Sequence, residues 1–537
     1  MSAEATASSA GAGDDDGSGA ALDGTAAATA ADTGAATADP DWRRLDRRTI
    51  LVSALLTGGV AAGAAVPVTL GLAGRYGPVT AVALVVAGAL GLIGCATAGD
   101  LVRWRRTRYH VGTERVELHT GLFMVKKRSL ARERVRSVDL TAHLLQRVLG
   151  LVTVRIGTGE HSGSDSTLEL DPVSRAEGER LRRELLERGA AGAPGTHREG
   201  RLAVLDPRWI RYAPVSFVAP ALGGAAAGAV MQVSDWFGAQ GKVIDWAGDR
   251  FRDTALPAVI GILALAVLAA GVVGALGLWI EMWWNYRLER EPGGTLRLRR
   301  GLLTSRSVSI EERRLRGVDL VEPLGVRLFG AARVDAITTG LAKDGEEHHR
   351  AHDTLLPAAP RSVADAVAAD VLREAVPPTG AALTGHPPAA RGRRLRRALV
   401  AVAVPVLVLA VLGALLTPVL LWVALGCAVV GLPLGLFLAR DAYWALGHML
   451  SGDYLVVRSG TLRRSTAALE RAGVIGWTVR QTYFQRRSGV LRITATTAAG
   501  AGAYTAYDAD ASEGLDFASR AVPGLLEPFL ERTPPTG

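Results

Sequence analysis

The chain has 537 residues, too many for one small module, and its formal net charge of +9 divides into two unlike parts: residues 1–41 hold eight acids and no Lys or Arg, so the remainder carries +17. A hydrophobic fraction of 49% and a mean hydropathy of +0.20 exceed those of an ordinary soluble chain, while 21% charged residues exclude a wholly membrane-buried one. The two cysteines, Cys95 and Cys427, both lie in apolar runs, which excludes a soluble disulfide framework and a cysteine metal site.

In chain order, residues 1–41 come first, an acidic Ala/Gly-rich tail with almost no large apolar side chain. Such a segment cannot bury enough surface to offset the entropy of ordering, so it is expected to be disordered. It lacks the pattern of a signal peptide and is expected to stay on the side of the membrane where it is made.

Six uncharged apolar segments follow: Thr49 to Leu72, Val79 to Ala98, Tyr212 to Val233, Ala255 to Ile280, Ala398 to Leu416 and Val419 to Ala439. Each approaches the roughly 20 residues that a helix needs to cross the hydrocarbon. The last two form one uncharged stretch of 42 residues between Arg397 and Arg440. As one helix it would be about 63 Å long, twice the thickness available, so it must fold back at Thr417 and Pro418. The segment from Tyr212 is the weakest because Pro214, Pro220 and many small residues dilute it, and a half-inserted helix is the alternative there. Twenty arginines flank the spans on one side, against Arg75, Lys242, Arg250 and Arg252 on the other. The positive-inside rule then predicts three helical hairpins with both termini and all large polar regions in the cytoplasm. Trp104, Trp279, Trp283, Trp284, Trp444 and Tyr443 fall where an aromatic belt would lie.

A polar unit after each hairpin repeats without gaps. Counted from Gly121, Gly301 and Gly460, position +9 is Leu130, Ile310 and Leu469; +14 is Val135, Leu315 and Val474; +26 is Arg147, Arg327 and Arg486; +29 is Gly150, Gly330 and Gly489. Alternation of period two predicts half-buried antiparallel strands, and each copy closes with a helical pattern, Arg175 to Arg188, Ser362 to Ala375 and Glu513 to Glu531. The expected order is a tail at 1–41, hairpins at 42–102, 208–283 and 398–440, repeat units at 103–190, 284–376 and 441–531, and a basic linker at 377–397. The fold class is therefore an α+β multi-domain membrane protein.

A hairpin ending in Trp and Arg, then Ser129-Leu130 or Ser309-Ile310, the run Arg134 to Leu140, and Gln146 to Gly150 resemble the bacterial pleckstrin-homology-like membrane proteins, in the YdbT-like arrangement of three domains. The third copy departs most, with Gly473 where the others have Arg134 and Arg314. The resemblance implies a PH-like fold, a seven-stranded β-barrel with a C-terminal helix, and a bacterial plasma-membrane location. It implies no reaction.

Lys126, Lys127, Arg128, Arg132, Arg134 and Arg136 form a basic run that could dock on anionic lipid headgroups, or simply be a solvated face obeying the positive-inside rule. Arg147, Arg327 and Arg486 recur at one offset, which suits a structural brace, since a guanidinium offers five donors to loop carbonyls. His348, His349, His352 and Asp353 are read as a variable loop in preference to a metal site. No catalytic or cofactor motif is present, and aromatic residues are not interleaved with the charges as single-stranded nucleic-acid binding would need. Gly59/Gly63, Gly224/Gly228 and Gly431/Gly435 are candidate helix seams. The expectation is a non-catalytic protein, without cofactor or metal, whose partners are the membrane, another membrane or PH-like protein, or a second copy, with a role in envelope maintenance or resistance to membrane-active agents. The alternative is a lipid or small-molecule transporter using a groove between hairpins.

Overall fold

A computed structural model describes residues 42–121, 126–135, 137–157, 167–186, 200–215, 218–339 and 353–530. Among the described residues, five helices are long and apolar enough to cross a membrane: α1 (Thr49–Tyr76), α2 (Pro78–Arg106), α7 (Leu256–Trp283), α10 (Pro388–Leu415) and α11 (Pro418–Trp444). The turn after α1 is Gly77 at φ 79°, and Pro78 opens α2, where its missing N–H costs nothing. Between α10 and α11, Thr417 caps the N-terminus of α11 through Val419 N.

The expected span from Tyr212 to Val233 is the point of difference. Asp206 caps a short 3-10 turn, Pro207–Tyr212, which buries Trp209 and Tyr212 in the neighbouring β core. Helix α5 (Val218–Trp236) starts later, is 19 residues long, and is not among the five apolar helices. It lies against α7, where a Cβ on Gly223 would stand 2.1 Å from Val267 O and one on Gly271 would stand 2.0 Å from Ala219 O. Proline and small residues thus trade apolar length for a close two-helix contact. The seam uses Gly223, one residue before the expected Gly224, which meets nothing within 4 Å; Gly59 and Gly63 are likewise open, whereas Gly431 and Gly435 touch Val402. An amphipathic helix, α6 (Gln240–Phe251), joins α5 to α7.

The repeat is explicit in the element order. Each copy has three strands, a 3-10 turn, a strand, a five-residue helix, two strands and, after the last strand, a longer helix. The first is β2 (Arg108–Val111), β3 (Arg115–Thr120), β4 (Lys126–Ala131), β5 (Ser137–Ala142), α3 (Leu144–Val148), β6 (Leu151–Gly157), β7 (Thr167–Ser174) and α4 (Arg175–Leu186). The second is β9 (Arg287–Glu291), β10 (Thr295–Arg300), β11 (Ser305–Glu311), β12 (Leu315–Pro323), α8 (Leu324–Leu328), β13 (Ala331–Thr338), β14 (Thr354–Pro360) and α9 (Arg361–Leu372). The third is β15 (Gly447–Ser451), β16 (Tyr454–Ser459), β17 (Arg463–Glu470), β18 (Val474–Arg480), α12 (Tyr483–Arg487), β19 (Val490–Thr497), β20 (Ala503–Asp510) and α13 (Ala511–Ala521). A seventh strand reaches each of the first two copies from ahead of its hairpin: β1 (Arg43–Arg44) pairs with β2, and β8 (Gly200–Val204) pairs with β9. In the third only the bridge between Thr384 and His448 does this.

The strands form four antiparallel sheets, ordered β1-β2-β3-β4, β7-β6-β5-β11-β10-β9-β8, β14-β13-β12-β17-β16-β15 and β18-β19-β20. The two middle sheets each cross from one copy to the next, through β5–β11 and β12–β17. Each core is built mainly by one copy, although Val456 and Ala468 of the third copy join the second core and Ile337 of the second joins the third. Val116, Leu118 and Leu130 of the first sheet pack with Val138, Val154 and Leu170 of the second and with Leu181 of α4, and further clusters fill the other two copies. Alternation put the apolar face inward, while the edges found partners in the neighbouring copy because an unpaired edge leaves ladder groups unsatisfied. At the turn after β10, Gly301 has φ 111° and a Cβ would stand 1.9 Å from Thr304 O; Gly460 repeats this at φ 106°.

Candidate functional site

The junction between the first two copies encloses a cleft of about 290 Å³. Strand β9 contributes Arg287, β10 contributes Arg297, Arg299 and Arg300, α3 contributes Arg147, and α4 contributes Arg175 and Glu179. Glu179 is the only carboxylate among these described lining residues.

Part of this charge is spent inside the junction. Arg297, buried at 3% exposure, donates to Glu179 Oε1 at 2.6 Å, Glu291 Oε1 at 3.0 Å and Ser307 Oγ at 3.0 Å. Arg182 on α4 forks onto both Glu291 oxygens at 2.7 and 3.1 Å and donates to Glu179 at 3.2 Å. Burial raises Glu179 and Glu291, but their two arginines outweigh it and hold both carboxyls below the usual range. The four charges cancel and tie α4 of one copy to β9 and β10 of the next. Arg147, Arg175, Arg287 and Arg299 line the cleft outside this set, so the cleft keeps an excess of guanidinium. Burial, then the nearby Arg297, lowers Arg299 from its ordinary value; burial and Arg306 bring Arg300 to about 10. Arg300 also lies over the Trp283 ring at 4.4 Å. A crowded set of partly dehydrated guanidiniums favours a bound anion, and their planar fork fits phosphate oxygens in pairs.

The cleft opens beside the end of an apolar helix. Asn285 in its wall is two residues beyond α7, and Glu281 in the last turn of α7 accepts from Leu303 N at 2.8 Å and Thr304 N at 2.9 Å. Arg147 donates to Leu302 O at 2.7 Å, fixing the same turn from the first copy.

The sequence-selected residues divide. Arg147 reaches the next copy, and Arg327 pairs with Asp441 at 2.7 Å at the end of the next hairpin, whereas Arg486 is exposed. In the basic run, β4 turns Lys126 and Arg128 to one face and Lys127 to the other. Arg132 folds inward onto Gly112 O at 2.8 Å and Glu184 O at 2.7 Å; Arg134 is exposed, and Arg136 lies outside the described residues. The run is therefore not one continuous patch. Of the expected aromatic belt, Trp104 is buried and donates Nε1 to Leu45 O at 2.7 Å, and Trp283 is buried in the second core, while Trp284 and Trp444 are exposed. His348, His349 and His352 lie outside the described residues, among which no cluster of metal-ligating side chains occurs. Sequence reasoning missed Gln146 and Gln485, both at +25, which donate to Asp171 and Asp508 at 3.3 and 3.0 Å and brace the first and third copies from within. It also missed the cleft, since its wall comes from two copies.

A β-rich unit repeated three times on apolar helices defines a class of membrane protein with tandem PH-like modules. The family description of the bacterial PH domain matches residues 59–189, 251–375 and 398–521, and the chain belongs to that family. It is similar to the UPF0699 transmembrane protein YdbT of Bacillus subtilis (strain 168), 25% identical over 279 residues, 48% of this chain and 55% of the relative. The chain thus spans about half the length of that curated relative. No solved structure matches. Neither comparison is with an enzyme family.

Proposed function

We propose that the chain is a non-catalytic, multi-pass protein of the bacterial plasma membrane, with both termini in the cytoplasm, whose three PH-like modules form one platform under the inner leaflet. Its cleft between modules one and two binds the phosphate of an anionic lipid headgroup. The observation that carries this reading is the surplus of four arginines, Arg147, Arg175, Arg287 and Arg299, in one cavity beside the end of α7. Near an anionic leaflet each such charge contributes about 1 kcal/mol even without direct contact. The arginine at +26 acts as a brace between successive modules, as the contacts of Arg147 and Arg327 suggest.

The test is native mass spectrometry of the full chain extracted from nanodiscs of equal phosphatidylglycerol and phosphatidylcholine. The wild type is expected to retain phosphatidylglycerol, and Arg287→Glu with Arg299→Glu to lose it by at least about tenfold, the equivalent of one lost charge-assisted contact. Equal retention of the two lipids by the wild type would discard the lipid reading.

A further inference from the structure

Both junctions between modules use the same register. Counted from the origin glycines, Ser305↔Ala142, Arg306↔Thr141 and Ser307↔Leu140 pair +4 with +21, +5 with +20 and +6 with +19. At the second junction Arg464↔Glu322, Ser465↔Val321 and Thr466↔Leu320 repeat these offsets, and the ladder continues to Gly317↔Leu469, +16 with +9. Two unlike sequences thus share one register, +19 to +21 of a module antiparallel on +4 to +6 of the next, which the second junction extends to +16 to +22 on +3 to +9.

Among the described strands, one half of this junction is open in the first module and the other half in the third. Strand β4 holds the place of β11 and β17 but is the outer strand of its sheet, and β18 holds the place of β5 and β12 but is the outer strand of its own. Gly317 is a glycine because β17 comes so close that a Cβ would stand 2.0 Å from Ala468 O. Gly476 stands at the same offset, +16, yet a Cβ there meets nothing within 4 Å and its φ is not in the left-handed region. The glycine is thus suited to a close-lying strand that none of the described strands supplies. Arg486 tells the same story at +26: Arg147 and Arg327 hold the following unit, and Arg486 is exposed. Ile475, Val479, Tyr483 and Phe484 leave a large apolar area exposed beside it.

We propose that a second copy of the chain completes the junction, β18 of one molecule pairing with β4 of the next in the register of the internal junctions. Arg480 then faces Lys126, Val479 faces Lys127, Thr478 faces Arg128, Trp477 faces Ser129 and Gly476 faces Leu130. The contact is heterologous, so it builds a ring or a row of chains in the membrane plane instead of a closed two-fold dimer. Arg480 opposite Lys126 is the one like-charged pair in this ladder, and assembly should tighten as salt screens it.

The test uses two full-length chains with different tags, each lacking Cys95 and Cys427, one carrying Lys127→Cys and the other Val479→Cys, co-expressed and oxidised in native membranes. Directly opposed strand residues have Cα atoms about 4.5–5.5 Å apart, within disulfide reach. The expected product is a mixed dimer, at least about tenfold stronger than with Ser129→Cys in place of Lys127→Cys, two positions off register and beyond comfortable reach. Adding Gly476→Val to the Val479→Cys chain should abolish it without changing that chain's thermal stability, because the new side chain enters open space in the single molecule. A dimer of Val479→Cys with itself, a product of some other mass, or equal yields from both registers would each overturn the proposal.

Discussion

Asp139 and Asp319 occupy offset +18 in the first two modules, each on a strand that crosses to the next. Burial raises Asp139 to about 7 despite Arg155 and a hydrogen bond from the Ser309 backbone, and raises Asp319 to about 6 despite a hydrogen bond from Ser465. An exposed aspartate titrates near about 3.9, so between that value and 7 the folded junction holds a proton that the unfolded chain has released. Stability from Asp139 is complete below about pH 4 and is lost as pH rises through 7, at up to about 1.4 kcal/mol per pH unit. Hydrogen-exchange protection of β5 and β11, corrected for intrinsic rate, should fall by about 2 kcal/mol between pH 5 and 8 in the wild type, and stay level in Asp139→Asn. An unchanged pH response in the variant would remove Asp139 as its source. Asp139 lies in the run Arg134 to Leu140 that the sequence singles out; what it faces did not show there, because the opposing strand β11 is more than 160 residues away.

At the scale of elements, α5 and α7 meet through two glycines whose hydrogens face backbone carbonyls, Gly223 at Val267 O and Gly271 at Ala219 O. There is no room for a side chain on either, and a bulky one must push the helices apart. Gly271→Leu is expected to lower the melting temperature of the detergent-solubilised protein by several degrees, consistent with about 1–3 kcal/mol of overpacking, while Gly224→Leu, one residue along α5 from the seam, leaves it unchanged. Equal effects would mean that the contact is not where the packing puts it. The strand, turn and helix order of each module was legible because period-two alternation and recurring glycines are local signals. The α5 boundary was not, since Pro214 and Pro220 lower hydropathy without saying that Trp209 and Tyr212 leave for a β core. The pairing of edges across modules was not legible either, because any edge strand satisfies its local pattern whichever partner it takes.

Over the whole molecule, sheets that continue between modules make the three modules neighbours in a line, with cooperative contacts only between adjacent ones, as in repeat proteins. Damage at one junction should therefore stay local. The first junction depends on two buried arginines, Arg182 and Arg297, and two half-buried carboxylates, Glu179 and Glu291, in which every charge has a partner. Removing one arginine leaves two half-buried carboxylates with one partner between them, at a cost of about 1–3 kcal/mol. Arg297→Met keeps the volume and deletes the charge, leaving Glu179 facing Arg182 alone. Hydrogen exchange should then accelerate in β5 to β7 and in β9 to β11, while β15 to β20 beyond the second junction keep their protection, because no member of the set touches them. Uniform acceleration throughout the chain would instead mean that the modules fold as one indivisible block, and that the shared sheets transmit strain further than nearest-neighbour coupling allows.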